Sequence, residues 1–352
     1  MSPSPWLVSA RFDLLAFSLP AVIGLLVGAL SGTLAEPSGD TPAWAWLLFV
    51  VGVDVAHVHA TTLRVYCDPG ELARRPWLYG ITPLACLALG VLLYGYSAAL
   101  FWRCLAYVAL FHFVRQQLGW MRLYRRRSAS GQSFDRKLDE IAIYAATLCP
   151  VVVWHTRLPT SFHWFVQGDF IRGLPPMAAT LASVCFGLCA CMFYARQAWL
   201  RQRGEPWAWG KILLFTLTAG TWWGGIVLLA NDFAFTVTNV VAHGVPYMLV
   251  SHGVARSRER LDASPSRGWL SALPVYLIAL CALALGEEWL WDACVWHEHG
   301  ALLATPVLSL EQAAPLLVPL LSVPQLTHYL LDGFLWRLDG HNPAFADWLA
   351  GV

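Results

Sequence analysis

The sequence predicts an all-α fold, a polytopic transmembrane bundle of about ten helices with both termini on the cytoplasmic side. Three observations predict it. Of 352 residues, 57% are apolar by type and 13% are Asp, Glu, Lys or Arg, far below the roughly 25% charged share of an ordinary soluble domain. Apolar runs of roughly 20 residues, enough to cross a hydrocarbon core of about 30 Å, recur along the whole chain. Basic residues gather in alternate loops, as in membrane proteins with a fixed orientation. The 23 basic and 22 acidic residues nearly cancel, and no basic face or heptad run exists. Disorder, nucleic-acid binding and coiled coil are thereby excluded.

Ten spans follow in order, at about 14–34, 43–66, 78–100, 102–124, 139–157, 176–199, 210–230, 233–252, 268–288 and 312–336, each bounded by Arg, Pro or Gly clusters. The first is too long for the 7–15-residue apolar region of a signal peptide and has one flanking base, Arg11, so it reads as a span. Several of the nineteen Trp lie beside Arg or Pro near the ends of runs, where indole rings anchor at the headgroup level. Little chain is left for a soluble domain, so 1–352 reads as a single integral-membrane domain, expected in a bacterial cytoplasmic membrane. No internal or inverted repeat is visible.

Orientation follows from the loops. Arg74 and Arg75; Arg125, Arg126, Arg127, Arg136 and Lys137; Arg201, Arg203 and Lys211; Arg256, Arg258, Arg260 and Arg267; and Arg337 all fall on one side, against Arg103, Arg157 and Arg172 on the other. The positive-inside rule makes the richer side cytoplasmic. The nine Cys form no CxxC pair, so neither a disulfide framework nor a zinc ribbon is expected.

Ionisable side chains at membrane depth cost about 2.5–3.5 kcal/mol each for Asp, Lys or Arg, so those present face a cavity or one another. The second span carries Asp54, His57 and His59 in V-D-V-A-H-V-H-A, with Arg64 beyond. The fourth carries His112, Arg115 and Gln116 in F-H-F-V-R-Q-Q-L-G-W. The eighth carries Asn239 and His243 in N-V-V-A-H-G-V-P-Y, then His252, and the tenth Gln325, His328, Tyr329 and Asp332 in Q-L-T-H-Y-L-L-D-G-F. Residues three, four or seven apart share a helix face. Asp54 aligns with His57; His112 with Arg115 and Gln116; Asn239 with His243 and Tyr247; Gln325 with His328, Tyr329 and Asp332. His57 and His59 point apart in an unbroken helix, so His57 is the stronger ligand candidate of the two. At 1.5 Å per residue, His57, His243 and His328 lie about 12–14 Å from the cytoplasmic helix ends and His112 about 18 Å. Pro246 and Pro324 are expected to free backbone carbonyls nearby.

Imidazole with carboxylate suits iron, zinc or manganese, and with open positions suits non-haem Fe(II) oxygen chemistry. His57, His243, His328 and Asp332 form the expected ligand set, with Asp54, His59 and His112 as further metal candidates. Asp54 could instead orient a ligating imidazole. Arg115, always charged, is expected to hold a carboxylate or phosphate. Gln116, Asn239 and Tyr329 would complete the site around the substrate.

With its H-V-H, F-H-F, A-H-G-V-P and H-Y-L-L-D segments, the architecture resembles the histidine-rich integral-membrane iron enzymes, the fatty-acid desaturases and the alkane and sterol hydroxylases. Their H-x-x-x-H and H-x-x-H-H boxes are missing here. A-H-G-V-P at 242–246 also resembles the P-H-G box of Brp/Blh carotenoid-cleaving oxygenases. The resemblance implies O2-dependent oxidation of a hydrophobic or lipid-like substrate among membrane lipids, with one or two non-haem iron ions and an electron donor. Two other readings stand beside it. One is a haem or other divalent-metal protein with axial His and Arg115 on a propionate. The other is a proton-coupled transporter with His, Asp and Arg as a relay. On the far side, His297 and His299 in W-H-E-H-G, with His155 and His163, read first as interfacial residues and second as a further metal site.

Overall fold

A computed structural model describes residues 4–36, 40–127, 133–158, 163–262, 272–308, 310–338 and 340–351. Arg267 and the first residues expected in the ninth span, 268–271, lie outside them. Among the described residues the fold is all helix and contains no strand. Ten helices of the described residues are long and apolar enough to cross a membrane: α1 Ala10–Ala29, α2 Ala43–Tyr66, α3 Pro76–Tyr96, α4 Ala98–Arg127, α5 Ser133–His155, α6 Pro176–Gln202, α7 Trp209–Leu229, α8 Asp232–Leu261, α9 Leu273–Trp296 and α10 Glu311–Leu335. A short helix, α11 (Pro343–Ala350), follows. The largest departure from the expected boundaries is α8, which continues nine residues beyond 252. The apolar windows of α3, α6 and α9 are only 17% buried. Their exposed Leu, Ile, Val and Met side chains are what a lipid-facing surface requires.

Several spans widen locally from α to π geometry: Leu14–Ser18 in α1, Trp46–Val55 and Thr62–Tyr66 in α2, Trp223–Leu229 in α7, Thr236–Val240 in α8 and Asp292–Trp296 in α9. In α2 the widened stretches flank Ala56–Thr61, which stays α-helical. His57 and His59 therefore keep their opposed directions. Pro246 sits inside α8. The tenth span breaks at Ser322, and Pro324 stands in the first turn of the next segment, where its missing N–H is harmless.

The chain forms two compact units: residues to Thr41 with Ala109–His243, and Pro42–Val108 with Gly244–Gly351. In the first, α5 packs on α6 and α7. Two ion pairs tie these helices, Lys211 Nζ to Asp139 Oδ2 at 2.8 Å and Arg196 Nε to Asp135 Oδ1 at 2.6 Å. Asp139 and Lys211 are each 1% exposed, so both charges depend on the pairing. Glu140 pairs with Arg122 and Arg125 at 3.1 and 3.4 Å. Each of these acids thus has a basic partner. Gly24 lets α1 meet α8 backbone to backbone, since an added Cβ would collide with the Val237 carbonyl.

In the second unit, α2 and α9 enclose a core of Val51, Ala56, Ala60, Tyr247, Tyr276 and Leu280. The lower half of α10 packs on α2 and α3. Gly244 permits α8 to approach α2, because a Cβ there would lie 2.7 Å from Val53 Cγ1. α11 folds back with Phe345 against Trp336 (5.2 Å between centroids) and Trp348 against Gly253.

Candidate metal centre

In the second unit three helices supply a buried polar cluster. α2 presents Asp54, His57 and Thr61, three and four residues apart and so on one face. α10 presents His328 and Asp332, again four apart, and α8 presents Tyr247. The His57 and His328 rings meet edge to face with centroids 4.9 Å apart. His57, His328 and Tyr247 are at most 1% exposed. Each imidazole has a carboxylate beside Nδ1: Asp54 Oδ1 is 3.7 Å from His57, and Asp332 Oδ1 is 3.7 Å from His328.

A hydrogen-bond chain sets the orientation of His328. Tyr247 donates its hydroxyl to Asp332 Oδ1 at 2.6 Å. Its one hydrogen is then used, so at the 2.9 Å contact with Thr61 it accepts. Thr61 has likewise one hydrogen, and must accept from His328 Nδ1 at 2.8 Å. With Asp332 ionised, His328 is the Nδ1–H tautomer and its lone pair lies on Nε2. This is how metal-ligating histidines are held, the second nitrogen donating to an outer partner. Trp336 Nε1 adds a hydrogen bond to Asp332 Oδ1 at 3.2 Å. The Trp336 ring carries the Arg64 guanidinium 4.4 Å from its centroid.

The first unit holds a second imidazole pair. His112 on α4 and His243 on α8 have centroids 5.0 Å apart, edge to face at 77°. His243 lies flat on Phe113, at 3.7 Å and 4°, so stacking fixes its plane. Gln116 Nε2 donates to the His243 carbonyl at 3.3 Å, serving the backbone turn beneath that ligand candidate.

Of the other predicted residues, Tyr329 lies beside His328, with ring centroids 5.7 Å apart, and the rest make other contacts. His59 Nε2 meets Glu287 Oε2 at 3.0 Å, an α2 to α9 contact. Asn239 Nδ2 donates to the Thr221 carbonyl at 3.1 Å and to Thr238 Oγ1 at 3.0 Å, clamping α7 to α8. Arg115 is exposed and donates to the Tyr144 hydroxyl at 3.1 Å. The Tyr329 hydroxyl accepts from Gln325 at 2.8 Å. His252 lies against Tyr276. Of the far-side histidines, His155 bonds the Val151 carbonyl at 2.8 Å and His299 packs edge-on to Trp46. Asp292 accepts from the Glu298 and His299 amides, and from the Thr305 hydroxyl, capping that loop.

Thr61, Trp336 and Glu287 are the residues the sequence argument missed. Thr61 had a signal, lying one turn from His57 on its face. Trp336 likewise follows Asp332 by four. Glu287 had none, because its partner is on a distant helix.

Ligand atoms of His328 and Asp332 lie within 4.8 Å of each other, as do those of His112 and His243, and such buried groups could hold a metal ion. Compared with protein-family models, curated proteins and solved structures, the chain has no significant match.

Proposed function

We propose that this protein is a membrane-embedded, metal-dependent oxidoreductase acting on a hydrophobic or lipid-like substrate, with non-haem iron as its metal. His57 and His328 in one unit and His112 and His243 in the other are the imidazole donors, for one or two ions. Asp332 is the carboxylate donor; its Oδ1 is engaged by Tyr247 and Trp336, so Oδ2 is the ligating atom in this reading. Asp54 stands beside His57 as a ligand or as the group that orients it. Iron held by imidazole and carboxylate with open positions supplies O2-dependent oxidation.

The observation that carries the reading is the chain of three hydrogen bonds that links His328 through Thr61 and Tyr247 to Asp332. With Asp332 ionised, such a chain holds a ligating imidazole in one tautomer. The edge-to-face contact of His57 with His328 leaves no slot for a porphyrin plane between these two rings. The surrounding apolar helices favour a membrane-soluble substrate. In this reading Arg115, Gln116, Asn239 and Tyr329 shape or support the substrate's path, and the richer basic loops make the Arg64 end cytoplasmic.

Elemental analysis of detergent-purified protein, with an absorption spectrum of the same sample, tests the reading. Near-stoichiometric iron without a Soret band is expected. A Soret band would establish haem instead, and no metal after iron loading would turn the cluster into a transporter's relay.

A further inference from the structure

Within the first unit, the end of α4 and the start of α5 are joined through Glu140, which takes Arg122 at 3.1 Å and Arg125 at 3.4 Å. Arg115 lies deeper in the span. At 1.5 Å per residue it is about 10 Å further along α4 than Arg122, and it does not reach back to Glu140. Its hydrogen bond, Nη1 to the Tyr144 hydroxyl at 3.1 Å, goes instead to the residue one turn further into α5. The Phe111 ring lies 5.9 Å from Arg115 Cζ. Arg115 is exposed, and among the described residues no carboxylate pairs with it.

A guanidinium at membrane depth is costly unless an anion or water meets it. Most of the Arg115 N–H donors are open, and Tyr144, which accepts from Arg115, keeps its own hydroxyl hydrogen to donate. Two kinds of donor thus border one space. Toward Arg122, Gly119 stands one turn from Arg115, and a Cβ added there would meet no atom within 4 Å. In the opposite direction, one turn deeper on each helix, Phe111 and Leu148 are 63% and 42% exposed. The face is therefore basic above and apolar below. Arg115, Arg122 and Arg125 share it with one carboxylate, Glu140, so a second anion is favoured there.

We propose that this face of α4 and α5 binds a long-chain carboxylate dissolved in the membrane, its head group held by Arg115 and Tyr144 over Gly119 and its tail running inward past Phe111 and Leu148. The planar fork of an arginine matches a carboxylate, and one positive charge neutralises one negative charge. A phosphate monoester carries about 1.5 to 2 negative charges and would leave an excess at this depth. A two-chain phospholipid keeps its phosphate at the headgroup level, above Arg115. Arg115 stands three residues from His112 on α4, so the bound carboxylate lies beside the first unit's imidazole pair. That this carboxylate is also the substrate rests on the oxidoreductase reading; carboxylate binding does not.

The test is photolabelling of the full chain in phosphatidylcholine nanodiscs with a fatty acid bearing a mid-chain diazirine, at about pH 8, where a carboxyl is ionised. Adducts are located by peptide mass spectrometry, and oleate, oleyl alcohol and octadecyl phosphate are the competitors. Adducts on the segments of Phe111 and Leu148 are expected. Oleate should displace the label at an at least about tenfold lower mole fraction than oleyl alcohol, since a charge-assisted hydrogen bond is worth that much, and below octadecyl phosphate. Arg115→Gln should lower the labelling about tenfold or more by the same measure. Gly119→Phe gives a second route, covering the head-group position while leaving Arg115 and Tyr144 in place, and should also reduce it. No adduct on these segments, equal competition by oleyl alcohol, stronger competition by octadecyl phosphate, or unchanged labelling in either variant would overturn the proposal. Iron stoichiometry, measured separately, reports on the metal reading alone.

Discussion

The two imidazole pairs have nearly the same internal geometry and different supports. His57 and His328 stand 4.9 Å apart at 83°, and His112 and His243 stand 5.0 Å apart at 77°. In the second unit His328 is held by hydrogen bonds through Thr61 and Tyr247 to a carboxylate. In the first, His243 is held by the face of Phe113. A hydrogen-bond chain fixes a ring's tautomer as well as its plane, while stacking fixes only the plane. Support, more than spacing, therefore distinguishes what the two pairs contribute to a bound ion.

Substitutions of the ring-bearing residues have the largest expected effect. His328→Ala and His57→Ala should reduce metal affinity more than about 100-fold in a bundle with unchanged helical circular dichroism, since losing an outer partner alone costs about 10–100-fold. Full metal retention in both would break the comparison at its stronger end. For His112→Ala and His243→Ala, loss of half the bound metal indicates that the first unit holds an ion of its own, and no loss indicates that the metal belongs to the second unit.

Supports come next. Thr61→Val and Tyr247→Phe each interrupt the chain to Asp332 while preserving shape, and metal affinity measured by competition with a chelator should fall about 10–100-fold. Phe113→Leu removes only stacking, worth about 0.5–1.5 kcal/mol, so a loss of about tenfold or less is expected. An equal effect of Phe113→Leu and Thr61→Val would erase the distinction between the two supports. Arg115→Lys should be the mildest, weakening substrate handling severalfold with metal content intact, because a point charge replaces a planar fork at an exposed position.

Much of the fold was legible in the sequence because lipid imposes a length and an apolarity that composition records directly. The preference for His57 over His59 was legible too, since helical spacing separates them and the α geometry of Ala56–Thr61 preserves it. The widened turns of α2 and α8 were not legible. They depend on packing between helices, as the close fits of Gly24 and Gly244 do. Asn239 shows the same limit. Its periodicity matched His243, yet its amide is taken by Thr221 across a helix interface that periodicity does not describe. Lys211 was read only as a loop base and is a buried partner of Asp139.

X-ray absorption at the iron edge of the purified protein, wild type beside His328→Ala, tests the central claim most directly. A nitrogen and oxygen shell with imidazole scattering is expected, losing one ring in the variant. A sulfur or porphyrin shell, or identical spectra for the two proteins, would contradict it.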